Sequence, residues 1–389
     1  MKKVTGVLLM LAAATAMLAG AQGASAAGKT VEISGRAFIF NHMSTGISNA
    51  TIKVREFPSL SATTNEFGDY TLEVPDDANV TPYIESGGPA VLTMRDKDGN
   101  PTGTMTAHWN EIDLQTFHTR GEDIENANFQ APRDEEYNGL KFLLNVEARE
   151  DGRPKDCVIV TTSSARNVRD VDFRTYWINT PHGVEGATSH AVPDIGAPVY
   201  FNDSVIPDPN QPHSSGDGGI IWPKVPAGTY RIITEHPETR FASFLATCAP
   251  GRVVNANPPM GAYQLNPGES PRTFSNVAAN LASAKAVRKS KTKRKLHVVL
   301  KSGENIDADV RVKAGGANLG RAFQLRPGTR KITFTLGARI KARKAKVTVR
   351  LKDASGVSFT TVRKVNVPKV IKKAKKNARK AKKKGAKRR

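Results

Sequence analysis

Thr64-Asn65-Glu66-Phe67-Gly68-Asp69-Tyr70-Thr71-Leu72-Glu73-Val74-Pro75 carries the strongest fold signal in the chain. Asn, Gly and Asp crowd its first half, the residues that build tight turns. Tyr70, Leu72 and Val74 then place an apolar side chain at every second position, the period of a strand with one buried face. Val31-Glu32-Ile33-Ser34-Gly35 and Thr51-Ile52-Lys53-Val54 alternate in the same way. Such short runs, punctuated by Gly, Pro, Asn and Asp, predict an all-β chain.

The same order recurs further along. Gly196-Ala197-Pro198-Val199-Tyr200-Phe201 leads to Ser215-Gly216-Asp217-Gly218-Gly219-Ile220-Ile221-Trp222, and Pro226-Ala227-Gly228-Thr229-Tyr230-Arg231-Ile232-Ile233 follows. Both copies read as strand, polar loop, glycine turn and aromatic-led strand. On Thr64–Leu72, and on Val225-Pro226-Ala227-Gly228-Thr229-Tyr230, the chain resembles the carboxypeptidase regulatory-like modules of secreted bacterial proteins. These are small prealbumin-type β-sandwiches. The second copy departs from the first in lacking the T-x-x-x-G-x-Y spacing. The resemblance covers about 40 residues in each copy. It implies a sandwich fold and leaves function open, since such modules serve as spacers, surface units and sugar binders alike.

Further strands follow at regular spacing over 294–368: Leu296–Leu300, Asp309–Lys313, Lys331–Leu336, Val347–Leu351 and Val362–Val365. Five or more short strands with turn residues between them suggest an immunoglobulin-like sandwich. Acidic Asp134-Glu135-Glu136 after Pro132, followed by Tyr137, Leu140, Phe142, Leu143 and Leu144, predicts one short helix near 133–146. The expected organisation is therefore a signal peptide (1–26), a first prealbumin-like sandwich (27–132), a helical linker (133–156) and a second prealbumin-like sandwich (157–265). A basic linker (266–293), an immunoglobulin-like sandwich (294–368) and a disordered Lys/Arg-rich tail (369–389) complete it.

Charge divides the chain. The 389 residues hold 58 Lys+Arg and 36 Asp+Glu, but residues 285–389 carry 36 of the basic and only 4 of the acidic ones. The front is mildly acidic and the rear intensely basic, which points to a separate anion-binding region. At the other end Lys2 and Lys3, an apolar run from Val7 to Leu18 and Ala24-Ser25-Ala26 read as a cleavable signal peptide. The apolar run is shorter than the ~20 residues a membrane span needs. The expected location is secreted, extracellular or associated with the cell wall.

The tail supplies Lys372, Lys373, Lys375, Lys376, Arg379, Lys380, Lys382, Lys383, Lys384, Lys387, Arg388 and Arg389 as candidate polyanion-binding residues. Binding through such a tail is driven by counterion release and reads little sequence. Expected partners are anionic wall or membrane polymers, with polysaccharide and non-specific nucleic acid as alternatives. After Lys285 the aromatics are Phe323, Phe334 and Phe359, all inside strand-like runs, so base stacking has little to work with.

Cys157 and Cys248, an even pair in an exported chain, predict one disulfide. The loop-entropy model assigns ~4–5 kcal/mol to closing a loop of about 90 residues. Trp109, Tyr176, Trp177 and Trp222 form a candidate sugar platform, with core packing as the competing reading. Eight scattered histidines show no H-E-x-x-H spacing, and His108 with His118 is the best pair for a metal site assembled across strands. Asp96-Lys97-Asp98-Gly99-Asn100 opens like a calcium loop, but position twelve is Ala107, so a hairpin turn fits better. No G-x-S-x-G elbow or reactive cysteine setting occurs. The sequence thus predicts a non-catalytic protein without cofactor or metal, with a carbohydrate-binding module as the runner-up.

Overall fold

The computed structural model describes residues 29–179 and 182–370. The expected signal peptide and the tail residues Lys372 to Arg389 lie outside them. The described chain is all-β, built of tandem sandwiches, with two short α-helices among the described residues.

Each residue of the opening motif has a structural task. Thr64 is buried; its hydroxyl accepts from Ala50 N–H at 2.8 Å and donates to the Ile47 carbonyl at 2.6 Å. Asn65 Oδ1 accepts from the Phe67 and Asp69 N–H groups, both at 2.9 Å, and holds the turn shut. Gly68 sits at φ +86°, and a β-carbon there would run into the carbonyl of Ala37. Tyr70 then enters strand Asp69–Pro75, its ring buried and its hydroxyl donating to Ala127 O at 2.5 Å. That strand pairs antiparallel with Thr30–Ile39 so that Leu72 faces Ile33 and Val74 faces Val31. The alternation seen in sequence is the register seen in space.

The first two units share a sheet. Strand Ile112–Asp113 of the first runs parallel to Val253–Ala256 of the second, with Asp113 opposite Val254. This joins Thr51–Val54 and Pro82–Ile84 to Cys157–Ser164, Gly219–Val225 and Val199–Phe201 in one ten-stranded sheet. Val158, Phe201, Ile221 and Val253 accordingly belong to the same core as Ile33 and Ile52. Asp113 at the junction is buried and ion-paired to Arg55, whose guanidinium also reaches Glu111 at 2.6 Å.

Strand Cys157–Ser164 is covered on both faces. Val158 and Val160 face the first core. Cys157 and Ile159 face a second core with Trp222, Ile232 and Phe244. The cover on that second side is a three-stranded sheet of Thr188–Val192, Gly228–Glu235 and Phe244–Cys248. The expected disulfide joins Cys157 to Cys248, with Cα atoms 5.6 Å apart, and so staples the two sheets of this sandwich.

Helix α1, Asp134–Leu143, falls where the acidic first turn predicts it. At its start the Glu136 carboxylate accepts from the Arg133 backbone N–H at 3.1 Å and from Arg133 Nε at 3.0 Å. A second helix, α2, Phe173–Ile178, corrects the expectation of a single one. It is capped by Asp172, whose side chain accepts from Thr175 N–H at 2.9 Å. Six residues are too few to display a helical period, so only the cap could have announced it.

The third unit is a sandwich of seven strands. Ala279–Arg288, Arg294–Ser302 and Gly328–Leu336 form one sheet; Ala317–Leu325, Ile306–Ala314, Lys344–Lys352 and Ser358–Asn366 form the other. The fourth strand in sequence pairs with the third rather than with the fifth, unlike a constant-type immunoglobulin domain. Its first strand corrects the linker expected over 266–293: Ala279, Leu281 and Ala286 are buried in the sandwich core. Small alanines and a bulge between Leu281 and Ser283 blur the alternation that would have revealed it. The segment before it is anchored as well, since Phe274 packs edge-on against Phe117 in the first core.

The third sandwich docks on both others. Arg231 of the second unit is 1% exposed and spends all its donors inward: Nε and Nη2 on Glu304 at 2.6 Å each, the rest on Ser243 Oγ, Ser275 O and Asn276 O. Asp353 stands 3.5 Å away. From the first unit, Arg120 donates to the carbonyls of Val277 and Ala279 and lies 3.8 Å over the Phe359 ring.

Candidate polyanion-binding face

Outward residues of the four-stranded sheet in the third sandwich line up across the strands. Lys313 is the register partner of Lys346, and Lys346 of Lys364. Neighbouring strands lie about 4.8 Å apart, so three ammonium stems rise side by side from adjacent backbones. All three side chains are exposed. None makes an ion pair with a described residue. The inward positions between them, Val312, Ala345, Val347 and Val365, are core, which forces the lysines out.

Like charges facing each other across a sheet cost stability. Little nearby offsets them. Of the four acidic residues after position 285, Glu304 and Asp353 are buried against Arg231. Burial pushes the Asp353 carboxyl pKa up, and the Arg231 charge opposes that. Only Asp307 and Asp309 remain on the outer face, and Asp309 is already paired with Arg311 at 2.8 Å. Arg350 and Lys352 extend the same face, opposite Asp309 and Asp307 in register. The other sheet is also positive: the His297 pKa is lowered by partial desolvation, then by Lys331, Lys289 and Lys295. The basic rear of the chain was visible in the sequence; the row was not, because register is a tertiary property.

The expected sugar platform does not form. Trp109 is 7% exposed and donates its indole N–H to Glu85 O; Trp222 is 2% exposed and donates to Gly196 O. Tyr176 is 2% exposed, accepts from Gln130 Nε2 and stacks on His182. A platform needs an open ring face, and only Trp177 is even half-exposed. Period-two strands bury every second large residue, and these aromatics occupy such positions or cap a core.

His108 and His118 do not come together as a site. His108 is exposed on strand Pro101–Trp109, whereas His118 is buried, hydrogen-bonded to Asn79 Oδ1 and 3.5 Å from Asp77 Oδ1. No group of three or more His, Cys, Asp or Glu that could hold a metal occurs among the described residues. Asp96–Asn100 is the hairpin turn expected: Asp96 Oδ1 accepts from the Asp98 and Asn100 N–H groups, and Gly99 sits at φ +86°. No helix among the described residues is long and apolar enough to cross a membrane.

No family model and no curated protein matches the chain. Several solved structures are distantly similar. A DUF3823 family protein from Bacteroides ovatus is 10% identical, with 54% of this chain and 98% of that one covered and a TM-score of 0.17. A tetra-tandem repeat from the extending region of a large adhesion protein is 11% identical, covers 87% and 100%, and scores 0.20. The Bacteroides ovatus mixed-linkage glucan protein SGBP-B is 13% identical, covers 85% and 66%, and scores 0.16. At scores this low the likenesses carry no argument about what the chain does.

Proposed function

We propose that this chain is a non-catalytic, exported scaffold held on anionic surface polymers by its C-terminal sandwich and the Lys/Arg-rich tail beyond it. The row Lys313–Lys346–Lys364 carries this reading: three unpaired cations in register on an outward sheet face. A sandwich selected only for stability would interleave opposite charges there. The front of the chain, read as carboxypeptidase regulatory-like units joined by one sheet, supplies the rigid body. Export rests on the signal-like segment 1–26.

A nucleic-acid partner would be held through its phosphates alone. Phe334 is core, and Phe323 and Phe359 pack against that core, so no ring of the basic sandwich is free to stack on a base. The test is retention on an immobilised polyanion across a salt series. Intact protein, a chain lacking 369–389, and Lys313→Gln/Lys346→Gln/Lys364→Gln are compared. Both changes should move elution to lower salt and together abolish retention. Elution unchanged by either would remove the proposal.

A further inference from the structure

The central strands of the ten-stranded sheet present two faces, and only one is fully covered by another sheet. The other carries Val158, Val160, Phe201, Ile221 and Val253, and α1 lies across it as a roof. Between roof and sheet is a narrow cavity of about 60 Å³, partly open to solvent. Its walls include the rings of Phe40, Tyr137 and Phe201, and its lining is almost wholly apolar.

One polar group breaks that lining. Asn255, 6% exposed, donates through Nδ2 to Gln130 O at 3.1 Å, while its Oδ1 is buried without a hydrogen-bond partner. Buried amide oxygens are nearly always paired, so an orphan asks for a donor. Among the other polar side chains lining it, Gln130 Nε2 donates to Tyr176 Oη and Lys141 Nζ to Gly152 O at 2.6 Å. A buried water needs about three hydrogen bonds, more than one free oxygen provides. The roof is incompletely sealed. Leu140 and Leu144 are only half-buried, and Phe142, 89% exposed, and Leu143 stand at the end of α1 beside them.

We propose that this cavity binds a small, flat aromatic molecule bearing one N–H or O–H donor, which Asn255 Oδ1 accepts. Ring walls favour a flat partner through edge and offset stacking. The half-sealed end of α1 is the entrance, and Leu140 and Leu144 shift outward to admit the ring. This site is separate from the cationic face and does not depend on polyanion binding.

Indole and benzofuran provide the test, being nearly the same shape with and without an N–H donor. Titration calorimetry on the intact protein should show indole binding ~10-fold tighter than benzofuran, the scale of one hydrogen bond to a buried acceptor. In Asn255→Leu the two should bind alike. Val160→Phe, which fills the floor, should abolish both. Leu140→Trp fills the space from the half-exposed roof and repeats the test should the sheet variant misfold. Equal affinities in the unaltered protein, no indole binding at all, or binding that survives a filled cavity would overturn the proposal.

Discussion

Arg231 and Glu304, 73 residues apart and 1% and 2% exposed, are joined by two hydrogen bonds of 2.6 Å across the junction of the second and third sandwiches. Glu304 also accepts from Ala278 N–H at 2.7 Å, so the carboxylate ties the incoming first strand of the third unit to the same point. Units that look separable in sequence are clamped by one buried cation.

Replacing Arg231 by Met should therefore destabilise the protein by ~3–5 kcal/mol, because Glu304 and Asp353 stay buried without their counter-charge. Urea unfolding is the measurement. The double change Arg231→Met with Glu304→Leu should recover part of the loss. A single-variant loss under ~1 kcal/mol would put the pair on a par with exposed ion pairs and remove its clamping role.

Lys346 stands between two other lysines, so Lys346→Gln should move stability and binding in opposite directions. Relief of two cross-strand repulsions should stabilise the sandwich by a few tenths of a kcal/mol up to ~1. The slope of log affinity against log salt should fall by about one unit on a polyanion. Destabilisation, or an unchanged slope, would contradict the role given to the row.

The disulfide joins two sheets of one sandwich and closes a loop with a sequence separation of 91. Cys157→Ala/Cys248→Ala should cost ~4–5 kcal/mol by loop entropy. Because both sulfurs are buried, reductant should act slowly on the native protein and quickly in denaturant. Rapid native-state reduction, followed by thiol labelling, would argue against this packing.

Burial lowers the His118 pKa, against the pull of Asp77; Arg120 also lowers it, while Glu304 raises it. A folded-state value below the ordinary one means that the unfolded chain binds more protons in between. The contribution is complete above about pH 6.5 and is lost as the pH falls through the folded pKa. Tm should decline from about pH 7 to about pH 5, and His118→Gln should flatten that decline. Equal slopes in both proteins would assign the effect to other groups.

Gly68→Ala should unfold or severely weaken the first sandwich, since the turn requires positive φ and lacks room beside the Ala37 carbonyl. Circular dichroism melting measures it. Gly99→Ala, also at positive φ but with only a distant ring edge near its β-carbon, should cost less. Similar melting of the two variants would show that φ alone, and not crowding, decides.

Local readings survived where the physics is local. Alternation in Tyr70, Leu72 and Val74, the acidic start of α1 and the Asp96 turn all involve neighbours a few residues apart, and each stands where the pattern placed it. The four-aromatic platform failed because a sequence names ring-bearing residues without saying which side of a sheet is covered. Trp222 lies in the core by virtue of a second sheet contributed from residues 188–248.

The all-β class, the cysteine pairing and the separation of acidic front from basic rear were determined by the sequence alone, because composition and period-two burial need no knowledge of distant partners. Tertiary structure decided the rest: the sheet common to the first two units, formed through the two-residue strand Ile112–Asp113, and the buried Arg231 at the third. It also set Lys313, Lys346 and Lys364 in one row. Those depend on register and docking, free-energy minima of the whole chain that no local window of residues contains.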